Sequence, residues 1–390
     1  MSALRSSDVL IIGGGVMGSA VAYFLALRGA SVVVLESDAS YATASSALSA
    51  SSIRQQFSTP VCMRMSRFGF EFMRAVSEHL SLRDEKIDVS LTERGYLYLA
   101  NEATQAALQT AIDAQLANDA PVAKLSQAAL AEKFPWLRSS DLALASIGLS
   151  DEGWFDGYAL LQGFRRKARE LGAVFLESSA VDLQRSGSRV HGVRTGSGTH
   201  SAAVIVNAAG FRAGEVARWA GVDLPIGPER RCVFAFHCRT APTDMPLIID
   251  PSGVYVRPDG THFIAGGLAT AHPGYETPCF EVDHEQFDEV IWPTLADRVP
   301  AFEEIRLIRG WAGQYDMNFF DHNAAIGWLP GIDGMLVVAG FSGHGMQHSA
   351  AAGRGVAELI LDGAYRSLDL SDLDPARITQ GRPLREYNLI

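Results

Sequence analysis

The chain has 390 residues, a net charge of −11, 47% hydrophobic and 20% charged residues, a balance that suits a globular two-domain protein and excludes nucleic acid as the main partner, because phosphate binding needs clustered cations. Its four cysteines, Cys62, Cys232, Cys238 and Cys279, match no metal or redox spacing, so neither a metal site nor a disulfide framework is expected, and a reducing cytoplasm is the expected setting. The first strand starts by Asp8, too early for a signal peptide, and the apolar run Val16 to Leu27 is too short to span a bilayer; no transmembrane segment is expected, and peripheral contact with an inner membrane stays open.

Asp8 to Glu36 reads as strand, glycine turn, helix and second strand, with Gly13, Gly15 and Gly18 at G-x-G-x-x-G spacing. Gly13 permits the sharp turn, Gly15 lets a pyrophosphate approach the backbone, and Gly18 lets helix and strand pack closely. The helix start at Val16 and Met17 offers amides and a positive dipole end to phosphates. Glu36, followed by Ser37, ends the second strand, where a carboxylate suits a ribose 2′-hydroxyl and repels a 2′-phosphate. Dinucleotide binding is the expectation.

A serine-rich segment follows and contains Ser45, Ser46 and the stretch SSIRQQFS at 51–58. With the opening unit, these residues resemble the D-amino acid oxidase, sarcosine oxidase and dimethylglycine dehydrogenase superfamily of FAD enzymes. The resemblance implies that Ser45, Ser46, Ser52 and Ile53 lie along the flavin and that Arg54 binds a substrate carboxylate. IRQQFS and a later FSGHGMQ also resemble the FAD oxidoreductase-like assembly factors of respiratory complex I, in which turnover could be absent.

Further along, Pro60 to His79 reads as one long helix with Met65, Phe68, Phe72 and Met73 on its apolar face. Thr92 to Ala100 alternates like a strand, Glu102 to Asn118 reads as an alanine-rich helix, and an amphipathic helix ends at Gly172. Strands are expected at 174–177, 190–195 and 201–207. The resemblance places Val181 against the adenine and Ala209–Gly210 over the FAD. Strands at 231–238, 253–258 and 262–267 fit an antiparallel cap sheet, and LIRGWAGQY at 307–315 leads back to the flavin.

Met335 to Gly363 repeats the opening logic: a buried strand, a glycine turn and a helix that starts at the turn. In the family this end binds flavin, which adds Gly340, Phe341, Ser342, Gly343, His344, Gly345 and Met346 to the cofactor set. The expected fold is α/β, a Rossmann-like FAD-binding domain with a mixed or antiparallel-sheet α+β substrate cap of the glutathione-reductase-2 type. Residues 1–85, 145–222 and 320–368 are assigned to the FAD domain, 86–144 and 223–319 to the cap, and 369–390 to a C-terminal tail.

Such a site oxidises a small amine or amino acid, secondary, N-methyl or D, by hydride transfer to flavin N5. Arg54 is the expected carboxylate clamp because its planar fork makes two charge-assisted bonds. Tyr255, Arg257 and Tyr315 are further candidates, His344 sits in the glycine turn, and Gln347 stands where the family's oxidases carry a carboxylate-binding lysine. Gly313 falls where monomeric sarcosine oxidases carry a tethering cysteine, and residues 41–52 hold no histidine, so non-covalent FAD is expected. No lysine follows Lys167; the family's oxygen-promoting lysine is therefore missing, which points to a dehydrogenase or slow oxidase reoxidised by a quinone or electron-transfer protein. On the same fold, 2-hydroxy-acid oxidation and a flavin-containing assembly role stay open as alternatives.

Overall fold

A computed structural model describes residues 7–240, 242–269 and 277–387. The apolar runs Ser7–Ile12, Val32–Glu36 and Met335–Ala339 become parallel strands that are largely sealed on both faces. Across this sheet the parallel order is Val174–Glu177, Val32–Glu36, Ser7–Ile12, Gly198–Asn207 and Met335–Ala339. Ala180–Ser186 and Arg189–Thr195 extend it as an antiparallel hairpin, and Ala325–Trp328 pairs antiparallel with the last strand. The strand at 180–186 and the short one at 247–249 are additions to the expected elements.

Two helices lie side by side on this sheet. Val16–Leu27 and Gly345–Asp362 touch where a side chain on Gly353 would meet the Ala20 carbonyl carbon at 2.8 Å. Arg28, at the end of the first, forks onto Asp362, at the end of the second, at 2.7 and 2.8 Å. The two axes therefore run in the same direction, and both N-termini reach the same cleft.

The second sheet has eight strands in the order Ile305–Asn318, Ile226–Cys238, His262–Gly266, Tyr255–Asp259, Leu247–Ile249, Tyr96–Ala100, Leu144–Gly148 and Val122–Ser126. All its pairings are antiparallel except 247–249 against 96–100. Residues 144–148 thus pair within the cap sheet, just past the boundary drawn at 145. The run at 92–100 divides at Gly95 (φ +76°) into two strands in different sheets, and the helix expected over 60–79 breaks at Ala75.

Residues 369–387 do not trail away. Leu370 and Leu373 are fully buried, and Arg377 forks onto the buried Asp321 at 2.8 and 3.0 Å. Glu386 accepts from the backbone of Ser58 (2.8 Å) and Thr59 (3.1 Å). A carboxylate there opposes the positive end of the helix Pro60–Arg74. Among the described residues no helix is long and apolar enough to cross a membrane, no side-chain cluster could hold a metal, and all four cysteines are free thiols.

Candidate active site

A cleft enclosing about 1580 Å³, its open mouth included, runs from Glu36 and Ser37 past both helix N-termini to the cap sheet. At its nucleotide end the opening turn is locked by backbone. Gly13 has φ +97°, donates to the Leu35 carbonyl at 2.8 Å, and would place a Cβ 2.4 Å from the Ala208 oxygen. Gly18 would place one 1.9 Å from the Gly13 oxygen. Only glycine fits either position. Glu36 accepts from Gly14 N at 2.7 Å and Asp38 N at 2.9 Å, which fixes its carboxylate at the cleft wall. Ser46 Oγ accepts from Val16 N at 3.0 Å and caps the helix, while Ser45 Oγ donates to the Gln314 carbonyl at 2.6 Å. This pair ties the serine loop to both the opening helix and the strand from the cap.

The closing turn is held by a side chain. Asp316 accepts from Gly340 N at 2.9 Å and Phe341 N at 3.1 Å, and its own carbonyl accepts from Ser342 N at 3.1 Å. Burial pushes the Asp316 carboxyl up to about 6 against the pull of those amides. Gly343 has φ +95°, and a Cβ there would lie 2.4 Å from the Tyr315 ring, so the ring packs directly against the turn.

Arg54, 2% exposed, sits beside the closing helix. Its backbone N donates to Gln347 Oε1 at 2.9 Å, and Ser66 Oγ reaches the same Oε1 at 3.0 Å. Gln347 therefore positions the arginine's backbone. The Arg54 guanidinium lies 4.5 Å from the Phe57 ring centroid and 5.9 Å from that of Tyr98. Its Nη2 is 3.1 Å from His344 Nε2. A guanidinium only donates, so Nε2 accepts, and the neutral imidazole carries its proton on Nδ1. One turn further, burial drives His348 down to about 3, which keeps it neutral.

At the cap end the cleft wall carries Tyr255, Tyr315 and Arg231. Burial raises both tyrosine hydroxyls, opposed at Tyr315 by the charges of Arg231 and Arg54. Arg257 is a structural residue: its guanidinium binds the carbonyls of Pro258 (2.8 Å) and Ala50 (2.6 Å) and the Asp259 carboxylate (2.9 Å). Behind Arg54, the fully buried Glu152 accepts from Gln55 N (2.7 Å), Gln56 Nε2 (3.0 Å) and Tyr96 N (3.0 Å). Burial pushes its carboxyl up to about 7, although these donors and the Arg54 charge pull it down.

Of the residues expected at the cofactor, Gly13, Gly15, Val16, Met17, Glu36, Ser37, Ser45 and Ser46 line the nucleotide half of the cleft. Ala209, Gly210, Gly313, Phe341, Gly343, Gly345 and Met346 line the remainder. Gly18, Gly340 and Ser342 support the turns from behind. Ser52 and Ile53 form a two-residue strand that anchors Arg54, and Arg54, His344 and Gln347 stand together off the lining. Val181 is 44% exposed and is not among the lining residues, and Ser178, Ser179 and Ala180 line the cleft just before it.

The family model of FAD-dependent oxidoreductases matches residues 8–359. The chain belongs to the FAD-dependent oxidoreductase family. This oxidoreductase is 39% identical to FAD-dependent oxidoreductase domain-containing protein 1 of Xenopus laevis, over 98% of this chain and 85% of that one. It is 27% identical to glycine oxidase of Geobacillus kaustophilus, over 96% and 97% of the two chains. The crystal structure of L-proline dehydrogenase from P. horikoshii superposes with a TM-score of 0.87 at 26% identity, covering 98% of this chain and all of that one.

FAD is the cofactor of this oxidoreductase, and the cleft fits it. A carboxylate at one end, two helix N-termini along the lining, and glycines where a Cβ would intrude are what a dinucleotide with a flavin requires. Asp316, Arg231 and Glu152 escaped the sequence reading. Asp316 follows Tyr315 directly, but nothing local marks it, because its partners lie 24 and 25 residues on. Glu152 stands in a turn-like D-E-G run, where a carboxylate ordinarily reads as solvated.

Proposed function

We propose that this FAD-dependent oxidoreductase oxidises the C–N bond of a small amino acid or N-alkyl amino acid, giving an imine that water hydrolyses. The observation that carries this reading is the convergence of two helix N-termini with an arginine-bearing, tyrosine-lined cap end in one cleft. Names among the relatives, glycine oxidase and L-proline dehydrogenase, support amino acids as the class. FAD, held by residues 13–17 and Glu36, would supply the two-electron acceptor for oxidation of the C–N bond, with the amine proton passing to solvent.

The chain's own residues do the positioning. Gly13 to Met17 hold the pyrophosphate and Glu36 the ribose. The closing helix directs its positive end into the cleft, where negative charge on a reduced ring is stabilised. Arg54, just behind the cleft lining with its charge acting on the Tyr315 hydroxyl, is the proposed partner of the substrate carboxylate, and Gln347, Ser66 and Glu152 fix the backbone from which it projects. Tyr255 and Tyr315 wall the substrate and exclude water. His344 accepts from Arg54 through Nε2 and so orients the clamp; it needs no proton-transfer role if the amine arrives neutral. FAD is held without a covalent bond in this reading: Gly313 carries no side chain, and burial raises the thiol of Cys232, which also lines the cleft. No lysine lines the cleft, which favours a quinone or electron-transfer protein over oxygen as acceptor. Four free thiols suit a reducing cytoplasm.

Anaerobic mixing with a panel of amino acids should bleach the flavin absorbance, with ammonia or an amine released from the productive substrate. Arg54→Met should lower kcat/KM by roughly 10²- to 10³-fold while FAD content is unchanged. A second reading, a FAD-binding assembly protein with little turnover, draws on relatives whose names state a FAD oxidoreductase domain and no substrate. Absence of bleaching by every amine and hydroxy acid would favour it, and bleaching by hydroxy acids alone would replace C–N with C–O oxidation.

A further inference from the structure

Arg231 lies on the cap strand Ile226–Cys238, opposite Gly313, and lines the cleft at only 8% exposure. Its guanidinium stacks 5.1 Å from the centroid of the Tyr315 ring, whose edge packs on Gly343 of the closing turn. A guanidinium has five N–H donors, and the described residues use them poorly. Nη1 donates to the Gly267 carbonyl at a long 3.4 Å. Glu229 Oε1 stands 2.6 Å from Nη2, yet off the line of its hydrogens, so the contact is ionic and that oxygen accepts no hydrogen bond. The Nε–H finds no acceptor among the described residues. Arg257, two strands along the same sheet and 4% exposed, also leaves its Nε–H without an acceptor but uses its Nη donors in three bonds of 2.6–2.9 Å, so what sets Arg231 apart is its Nη groups, which make a single long hydrogen bond. A buried charged donor left short of acceptors calls for an explanation, and the place of Arg231 on the cleft wall makes a bound anion one.

We infer that Arg231 forms a second anion subsite at the cap end of the cleft, so that the preferred substrate is a dicarboxylic amino or imino acid. The inference rests on the amino-acid reading above, with Arg54 holding the carboxylate next to the oxidised carbon and Arg231 the distal one. Tyr315 separates the two: its ring carries Arg231, and both arginine charges act on its hydroxyl. A planar fork suits a carboxylate better than any single-donor group would.

The test titrates FAD-loaded protein with unreactive carboxylates and follows the perturbation of the flavin visible spectrum. Succinate and glutarate are compared with butyrate and valerate. Dicarboxylates should bind roughly ten- to hundredfold more tightly than monocarboxylates of equal length. Compared at equal FAD loading, Arg231→Gln should lower dicarboxylate affinity to that of monocarboxylates, and Arg231→Lys should keep part of the preference. Equal affinity for both classes in the natural protein, or a preference that survives Arg231→Gln, would overturn the subsite. Because this readout needs no turnover, it is separate from the amino-acid reading, which fails if no amine bleaches the flavin even where dicarboxylates bind.

Discussion

At the opening glycine turn the constraint is backbone against backbone: Gly13 and Gly18 sit where a Cβ would fall 2.4 and 1.9 Å from carbonyl oxygens of Ala208 and Gly13. At the closing turn, Gly340 and Phe341 donate instead to the Asp316 carboxylate, delivered by a strand that comes from the cap. The opening turn therefore belongs to its own domain, whereas the closing turn is tied to the sheet that carries the substrate wall. The opening turn needs only to be rigid and to admit a phosphate. The closing one links the cofactor cradle, through Tyr315 and Asp316, to the place where substrate chemistry happens.

The sharpest way to break this contrast is Gly18→Ala. With no flexible side chain to yield, the backbone must move, at a cost of about 3 kcal/mol, and the purified protein should lose its bound FAD; normal flavin absorbance per chain would show that the turn is not locked as described. Next in size is Asp316→Asn, which keeps an acceptor for the two amides and removes the charge. Because the folded-state pKa is raised from 3.8 to about 6, the native protein binds this proton more tightly than the unfolded chain. Its contribution is fully present below pH 4 and is lost as pH rises toward 6. Denaturation midpoints should therefore fall between pH 4 and pH 7 by about 3 kcal/mol more in the natural protein than in Asp316→Asn, and parallel curves would contradict the assignment.

A smaller effect is expected on the substrate side of the closing helix. Gln347→Leu removes the acceptor for Arg54 N and Ser66 Oγ and should cost about 1–3 kcal/mol, seen as a raised KM with FAD content retained. If KM stays put while flavin is lost, Gln347 serves the cofactor and not the clamp. The least effect belongs to Arg28→Gln. The Arg28–Asp362 fork joins the far ends of the two helices on the surface, where solvent screens ion pairs. Melting temperature and flavin content should match the natural protein, and a clear loss of either would mean that the shared helix direction depends on this pair.

Much of the opening unit was legible because its constraints are local. Strand, turn, helix and acid occupy 29 consecutive residues from Asp8 to Glu36, and their spacing is dictated by one βαβ geometry. The closing strand, turn and helix were legible for the same reason, as was the alternation of the cap strands. Arg54, His344 and Gln347 were singled out individually, but their mutual arrangement was not, since 290 residues separate the guanidinium from the imidazole it meets. Elements with little amphipathic signal, such as the strand at 180–186 and the helix turns at 284–298, fell outside the reading.

From sequence alone came the expectation of dinucleotide binding and the two strand–turn–helix units proposed to hold the cofactor, because glycine spacing and apolar runs act over a few residues and leave a periodic trace, while the resemblance to a flavin family supplied FAD. Tertiary structure alone decided the rest. It placed Arg257 in scaffolding and Arg231 on the cleft, gave Asp316 the closing turn to hold, and raised Glu152 to about 7 in the interior. Burial and partner choice are properties of what the folded chain brings within a few ångströms, and identical side chains in one sheet acquire different roles when their neighbours differ.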